Sequence, residues 1–216
     1  MVYREERVVE KSQIDGMRLL ILTHERSGGM SLLNWLKREL GLNSYHEPFN
    51  TNPGPADILT RENIIVKEFP HNIKDWCTMG LNEFISTFDY VIVLTRENTY
   101  EAAISSVFMG SKERGTEHAH TIYTMNDEWI EKYKSDILLK QKELDSKIEI
   151  LKNIPNTLQV TYEKIYENTD DIKKICQYVG LKFITHKDML NNKYRLRNGE
   201  IEIPKFVHYK RYKSLI

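Results

Sequence analysis

Cysteine is scarce. Cys77 and Cys176 are the only two in 216 residues, so no disulfide framework organises the chain. Long apolar runs are missing too. A stretch such as Leu19-Leu20-Ile21-Leu22 falls far short of the roughly 20 residues a membrane-spanning helix needs. Neither charge is in excess: Lys+Arg and Asp+Glu are both 31, for a formal net charge of +0. General nucleic-acid binding draws most of its affinity from phosphate neutralisation and brings a basic surplus, so that class is excluded. The opening residues, MVYREERVVEKSQ, lack the apolar centre of a secretory signal, and a cytoplasmic, soluble protein is expected.

What remains is ordinary globular composition, 40% hydrophobic and 29% charged. The length suits one domain, with residues 1–16 as an N-terminal extension and 182–216 as a basic, aromatic tail. Four segments are expected as strands: Met17–Thr23, Asn63–Phe69, Tyr90–Thr95 and Thr157–Thr161. The first and third are nearly continuous apolar runs, which suits strands buried on both faces of a parallel sheet. Between them lie helical patterns at Gly29–Leu40, Asn98–Met109, Asn126–Asn153 and Asp170–Val179. The fold class is therefore α/β, a central parallel sheet flanked by helices. Asn43–Arg61 and Gly110–Thr124 read as long loops. The Trp129–Leu151 stripe reads as core packing.

The most informative segment is LTHERSGGMSLL, Leu22–Leu33. A buried strand runs into Arg26-Ser27-Gly28-Gly29 and a helix starts at once, so amide N–H groups and the helix dipole converge on an anion. Arg26 adds a planar cation that pairs bidentately with phosphate or sulfate oxygens, while Ser27 and Ser31 add hydroxyls. The Walker A pattern is not met, because no Lys precedes a Ser or Thr here. A second anion cluster is expected where Arg96 ends the third strand and Ser105 follows on the next helix, near the crevice at the strands' carboxyl ends.

Taken together, these segments resemble the sulfotransferases that use 3′-phosphoadenosine 5′-phosphosulfate (PAPS), in a P-loop NTPase-like architecture. Arg26-Ser27-Gly28 resembles the family's loop around the 5′-phosphosulfate, and Arg96 with Ser105 resembles its 3′-phosphate site. Tyr45-His46-Glu47-Pro48-Phe49 and Val160-Thr161-Tyr162-Glu163-Lys164-Ile165 extend the likeness over Arg18–Leu181, with spacing closest to bacterial trehalose-sulfotransferase-like members. Gly29 and Met30 depart from it, standing where hydroxyl residues are usual. Arg197-Asn198-Gly199 is a weak match to the C-terminal donor loop.

The resemblance implies sulfuryl transfer from PAPS to a hydroxyl of a carbohydrate or other small acceptor, leaving 3′,5′-adenosine diphosphate. It assigns donor binding to Arg26, Ser27, Gly28, Gly29, Met30, Ser31, Arg96 and Ser105, and catalysis to Arg26 with Glu47 as base. His46 is the rival base, since an imidazole ordinarily titrates near neutral pH. His24, within the anion loop, could donate to the leaving oxygen, and Lys67 and Glu68 are strand charges that need partners or a cleft. No metal is expected: His118 and His120 read as a solvated loop. Tyr209, Arg211 and Tyr212 of the tail could close over the donor. Two other readings stay open, a kinase of similar topology and a non-catalytic nucleotide-binding protein.

Overall fold

Three central strands carry side chains that are apolar on both faces, and the sheet is built around them. The computed structural model describes residues 16–50, 56–76, 79–111, 127–166, 170–181, 196–197 and 200–201. The expectations for the N-terminal extension, for His118 and His120, and for Tyr209, Arg211 and Tyr212 lie outside the described residues. The strands are β1 (Arg18–Thr23), β2 (Asn43–His46), β3 (Ile64–Glu68), β4 (Tyr90–Thr95) and β5 (Leu158–Thr161). Their order is β2-β3-β1-β4-β5, and every pairing is parallel.

The helices are α1 (Gly29–Leu40), α2 (Pro70–Trp76), α3 (Leu81–Ser86), α4 (Thr99–Gly110), α5 (Asp127–Lys132), α6 (Lys134–Lys152), α7 (Tyr162–Tyr166) and α8 (Asp170–Tyr178). On one sheet face Leu19, Ile21, Ile65, Ile92 and Leu94 pack with Leu32 and Leu36 of α1 and Ile172 and Ile175 of α8. On the other, Leu20, Leu22, Val66, Val91 and Val93 pack with Ile73, Phe84 and Leu151. Each such fully buried side chain contributes roughly 1.5–3 kcal/mol. The helix stripe packs as core: Trp129, Ile137 and Leu144 join Ala102, Ala103 and Phe108 of α4.

Two expectations need correcting. Residues 43–61 are not simply a loop, for they contain β2 and two 3-10 turns, Pro48–Asn50 and Ala56–Leu59. β2 is an edge strand with no fully buried residue, so it carries no apolar run. The long helix is also divided, at Tyr133 (φ −104°, ψ 13°). Helical hydrogen bonds still bridge the joint, from Tyr133 N to Trp129 O and from Ile137 N to Tyr133 O. Leu196–Arg197 and Glu200–Ile201 form β6 and β7, a short antiparallel pair flanking the weak Arg197-Asn198-Gly199 match.

This topology decides where a ligand can sit. From β1 the chain passes through α1 to β2 at one edge, and from β4 it passes to β5 at the other. β1 and β4 are neighbours, so their connections diverge at the carboxyl ends, which opens a crevice there.

Candidate active site

The anion loop fills the carboxyl end of β1. Its tight turn needs left-handed backbone at two places, Arg26 (φ 60°) and Gly28 (φ 85°). Gly28 precedes α1 and its carbonyl accepts from Ser31 N and Leu32 N at 3.0 and 3.2 Å. A Cβ on Gly28 would lie 2.6 Å from Cδ2 of Tyr162, so two constraints require glycine there. Gly28→Ala is therefore expected to destabilise the fold by about 2 kcal/mol or more, read as a lowered urea midpoint. Tyr166, wholly buried beside Tyr162, sends its hydroxyl to Gly28 O at 3.4 Å, and burial pushes its phenol pKa up.

Ser27 departs from its expected part as a hydroxyl donor to the ligand. It is 1% exposed, and its Oγ is hydrogen-bonded to Thr23 Oγ1, so its side chain ties the loop internally. Thr23 Oγ1 in turn donates to Leu94 O of β4 at 2.8 Å. Met30 is 36% exposed, and Ser31 is half-buried.

His24 is also consumed by the scaffold rather than turned to a ligand. Its Nε2 accepts from Arg96 N at 3.1 Å, which leaves Nδ1 to donate to Glu25 O at 2.8 Å. Burial lowers its pKa from 6.5 to about 4. Between those values the unfolded chain binds a proton that the folded chain refuses. The His24 contribution is thus complete above pH 6.5 and is lost as pH falls toward 4, a change of ~3 kcal/mol. Thermal melts from pH 7 to pH 4 should show this loss, and His24→Gln should flatten it.

The two arginine clusters expected from the sequence meet here. Arg26 Nε donates to Ser105 Oγ of α4 at 2.8 Å, and Arg96 Nη1 donates to Arg26 O at 3.3 Å. Arg96, expected with Ser105 at the second anion site, is largely buried. It is 6% exposed, its Nη2 donates to Glu101 Oε2 at 2.6 Å, and its guanidinium lies 4.7 Å from the Tyr162 ring centre. A buried guanidinium needs such a partner, because an unpaired charge there is costly. Glu163 fixes the turn after β4 by accepting from Glu97 N and Asn98 N, both at 3.0 Å.

A second cluster lies across the ends of β2 and β3. Glu47 has left-handed backbone (φ 47°), and its N donates to Lys67 O at 2.7 Å. Its Oε1 accepts from the Lys67 ammonium and lies 3.0 Å from His46 Nε2. Burial works to raise the Glu47 pKa, but these hydrogen bonds and the Lys67 charge outweigh it and hold the carboxyl at about 2. Glu68 is wholly buried. It accepts from Phe49 N at 2.9 Å and from Phe69 N and Asn72 Nδ2 at 2.7 Å, so it pins the segment that carries Glu47.

Glu101, Tyr162, Glu163 and Tyr166 hold the arginine cluster and its loop in place, and no sequence pattern singled out their roles. Glu101 comes from the first turn of α4, five residues after Arg96, while α7 brings Tyr162, Glu163 and Tyr166 from far along the chain against the turns after β1 and β4.

No family model and no curated protein matches the sequence. Sulfotransferase structures are among those to which this chain is similar. Mouse sulfotransferase SULT7A1 complexed with PAP is 14% identical over 82% of this chain, with a TM-score of 0.47, and this chain spans 62% of its length. The sulfotransferase domain of the curacin biosynthetic pathway is 12% identical over 79% of this chain and 76% of its own, with a TM-score of 0.44. The sulfotransferase domain of the Synechococcus PCC 7002 olefin synthase is 14% identical over 88% of this chain and 82% of its own, with a TM-score of 0.42.

Proposed function

We propose that this protein transfers a sulfuryl group from PAPS to a hydroxyl of a carbohydrate or another small acceptor. One observation carries the reading: Arg26 donates to Ser105, joining the anion loop after β1 to the helix after β4 at a single crevice. Bound there, PAPS supplies a sulfur–oxygen bond whose cleavage leaves charge on a phosphate.

The loop amides from Gly28 to Met30 face that charge at the start of α1, with Arg26 beside them. Ser105 and Arg26 hold the second phosphate, with the Arg96 charge behind them. Glu47 takes the acceptor proton as the new oxygen–sulfur bond forms in line with the one that breaks. It is ionised at neutral pH and therefore able to accept. Positioning and fixed charge supply most of the acceleration, as in phosphoryl transfer.

Thermal unfolding with 3′,5′-adenosine diphosphate, with ATP–Mg²⁺ and without ligand tests the reading. At 100 times its dissociation constant the bisphosphate should stabilise by about 2.7 kcal/mol. A larger shift with ATP–Mg²⁺ would favour a kinase, and no shift with either nucleotide would favour a non-catalytic protein.

A further inference from the structure

Gly29 stands where a hydroxyl residue would have supplied the anion loop with another donor, and the structure shows what occupies the space. A Cβ on Gly29 would lie 3.1 Å from Cε of Lys67 and 3.1 Å from Cγ2 of Thr23. The Lys67 stem thus runs past the first residue of α1, and its ammonium is one bond beyond a carbon that fills the place of a side chain there. Lys67 is 4% exposed, with Nζ 3.6 Å from the Phe69 ring centre. Its carboxylate partner is Glu47, reached across the ends of β2 and β3. One buried cation therefore lies between the place for an anion and the candidate base.

We propose that Lys67 is shared between the two. Its ammonium holds Glu47 while the anion loop is empty, and turns to the anion when the loop is filled, which restores the basicity of Glu47. This inference rests on the proposed donor site. A carboxylate held by an ammonium is a poor proton acceptor, and the same carboxylate released from it is a better one. Donor binding would then switch on the base that the transfer needs, and the empty enzyme would keep it quiet.

The charged surroundings of Glu47 leave Lys67 as the group able to make this exchange. From β2 comes His46, on the exposed side, 3.0 Å from the same oxygen. From β3 come Lys67 and Glu68, and Glu68 is engaged with Phe49 N, Phe69 N and Asn72. The anion loop brings Glu25, which is paired with Lys147 and Lys140 of α6, and His24, which is neutral at pH 7. The first turn of α1 carries no acid, and from α2 His71 stacks on Phe69.

The test is calorimetric titration of 3′,5′-adenosine diphosphate at pH 5 in buffers of different ionisation enthalpy, which counts protons bound with the ligand. The ligand's own phosphates also titrate and feel residue 67, so variants with and without the Glu47 carboxyl are compared on the same residue 67, the Lys67→Met pair being completed by the Lys67→Met, Glu47→Gln double variant. Wild type should take up about 0.3 proton per ligand more than Glu47→Gln. Lys67→Met should lose that excess, and His46→Asn should keep it. Equal proton counts for wild type and Glu47→Gln, with binding intact, would overturn the exchange and leave the donor site standing. An excess that vanished in His46→Asn and survived in Lys67→Met would also overturn it. Failure of wild type to bind the bisphosphate at all would overturn the donor site together with this inference.

Discussion

Glu47→Gln is expected to lower turnover by about 10²–10⁴-fold without weakening 3′,5′-adenosine diphosphate binding, since general-base catalysis is worth that much. Glutamine keeps an amide oxygen where Lys67 and His46 approach Oε1, so the local hydrogen bonds survive while the proton acceptor is lost. The measurement is initial rate with labelled donor against bisphosphate affinity for the same preparations. Full activity in Glu47→Gln would transfer the base assignment to His46, and His46→Asn would then carry the loss.

Arg26→Ala should act on the other half of the site, weakening bisphosphate binding by roughly 10- to 150-fold. Hydrogen bonds to charged groups are worth about 1.5–3 kcal/mol, and 1.4 kcal/mol is a factor of ten. Arg26 is half-buried on a loop, so its loss should leave the unfolding temperature almost unchanged. Arg96→Ala is the contrasting case. It would strand the buried Glu101 carboxylate, which is 4% exposed, and cost about 3–5 kcal/mol of stability. Binding and melting temperature together therefore separate a ligand-facing arginine from a scaffold arginine, a distinction the sequence alone does not make.

That contrast shows where sequence reasoning reaches its limit. β1 and β4 are legible because a strand buried on both faces must be apolar throughout, as their nearly uninterrupted burial shows. α1 is legible because Gly28 and Gly41 punctuate both its ends. β2 is not, since Asn43-Ser44-Tyr45-His46 pairs on one side only and needs no apolar run. At the site, the residue types of the loop already announce anion chemistry. Which of its side chains face a ligand depends on partners far away in sequence. The Ser27 hydroxyl turns inward to Thr23, and His24 spends both nitrogens on the backbone. Lys67 and Glu68 read alike as strand charges, yet alternation sends them to different surroundings, one to Glu47 and the other to backbone amides.

One crevice between β1 and β4 is expected to grip both phosphates of a single nucleoside. Calorimetric titration with 3′,5′-adenosine diphosphate, adenosine 5′-monophosphate and adenosine 3′-monophosphate tests it most directly. The bisphosphate should bind at one site per chain, with each monophosphate at least about tenfold weaker because a charged contact is lost. Equal affinity for the bisphosphate and the 5′-monophosphate would contradict it.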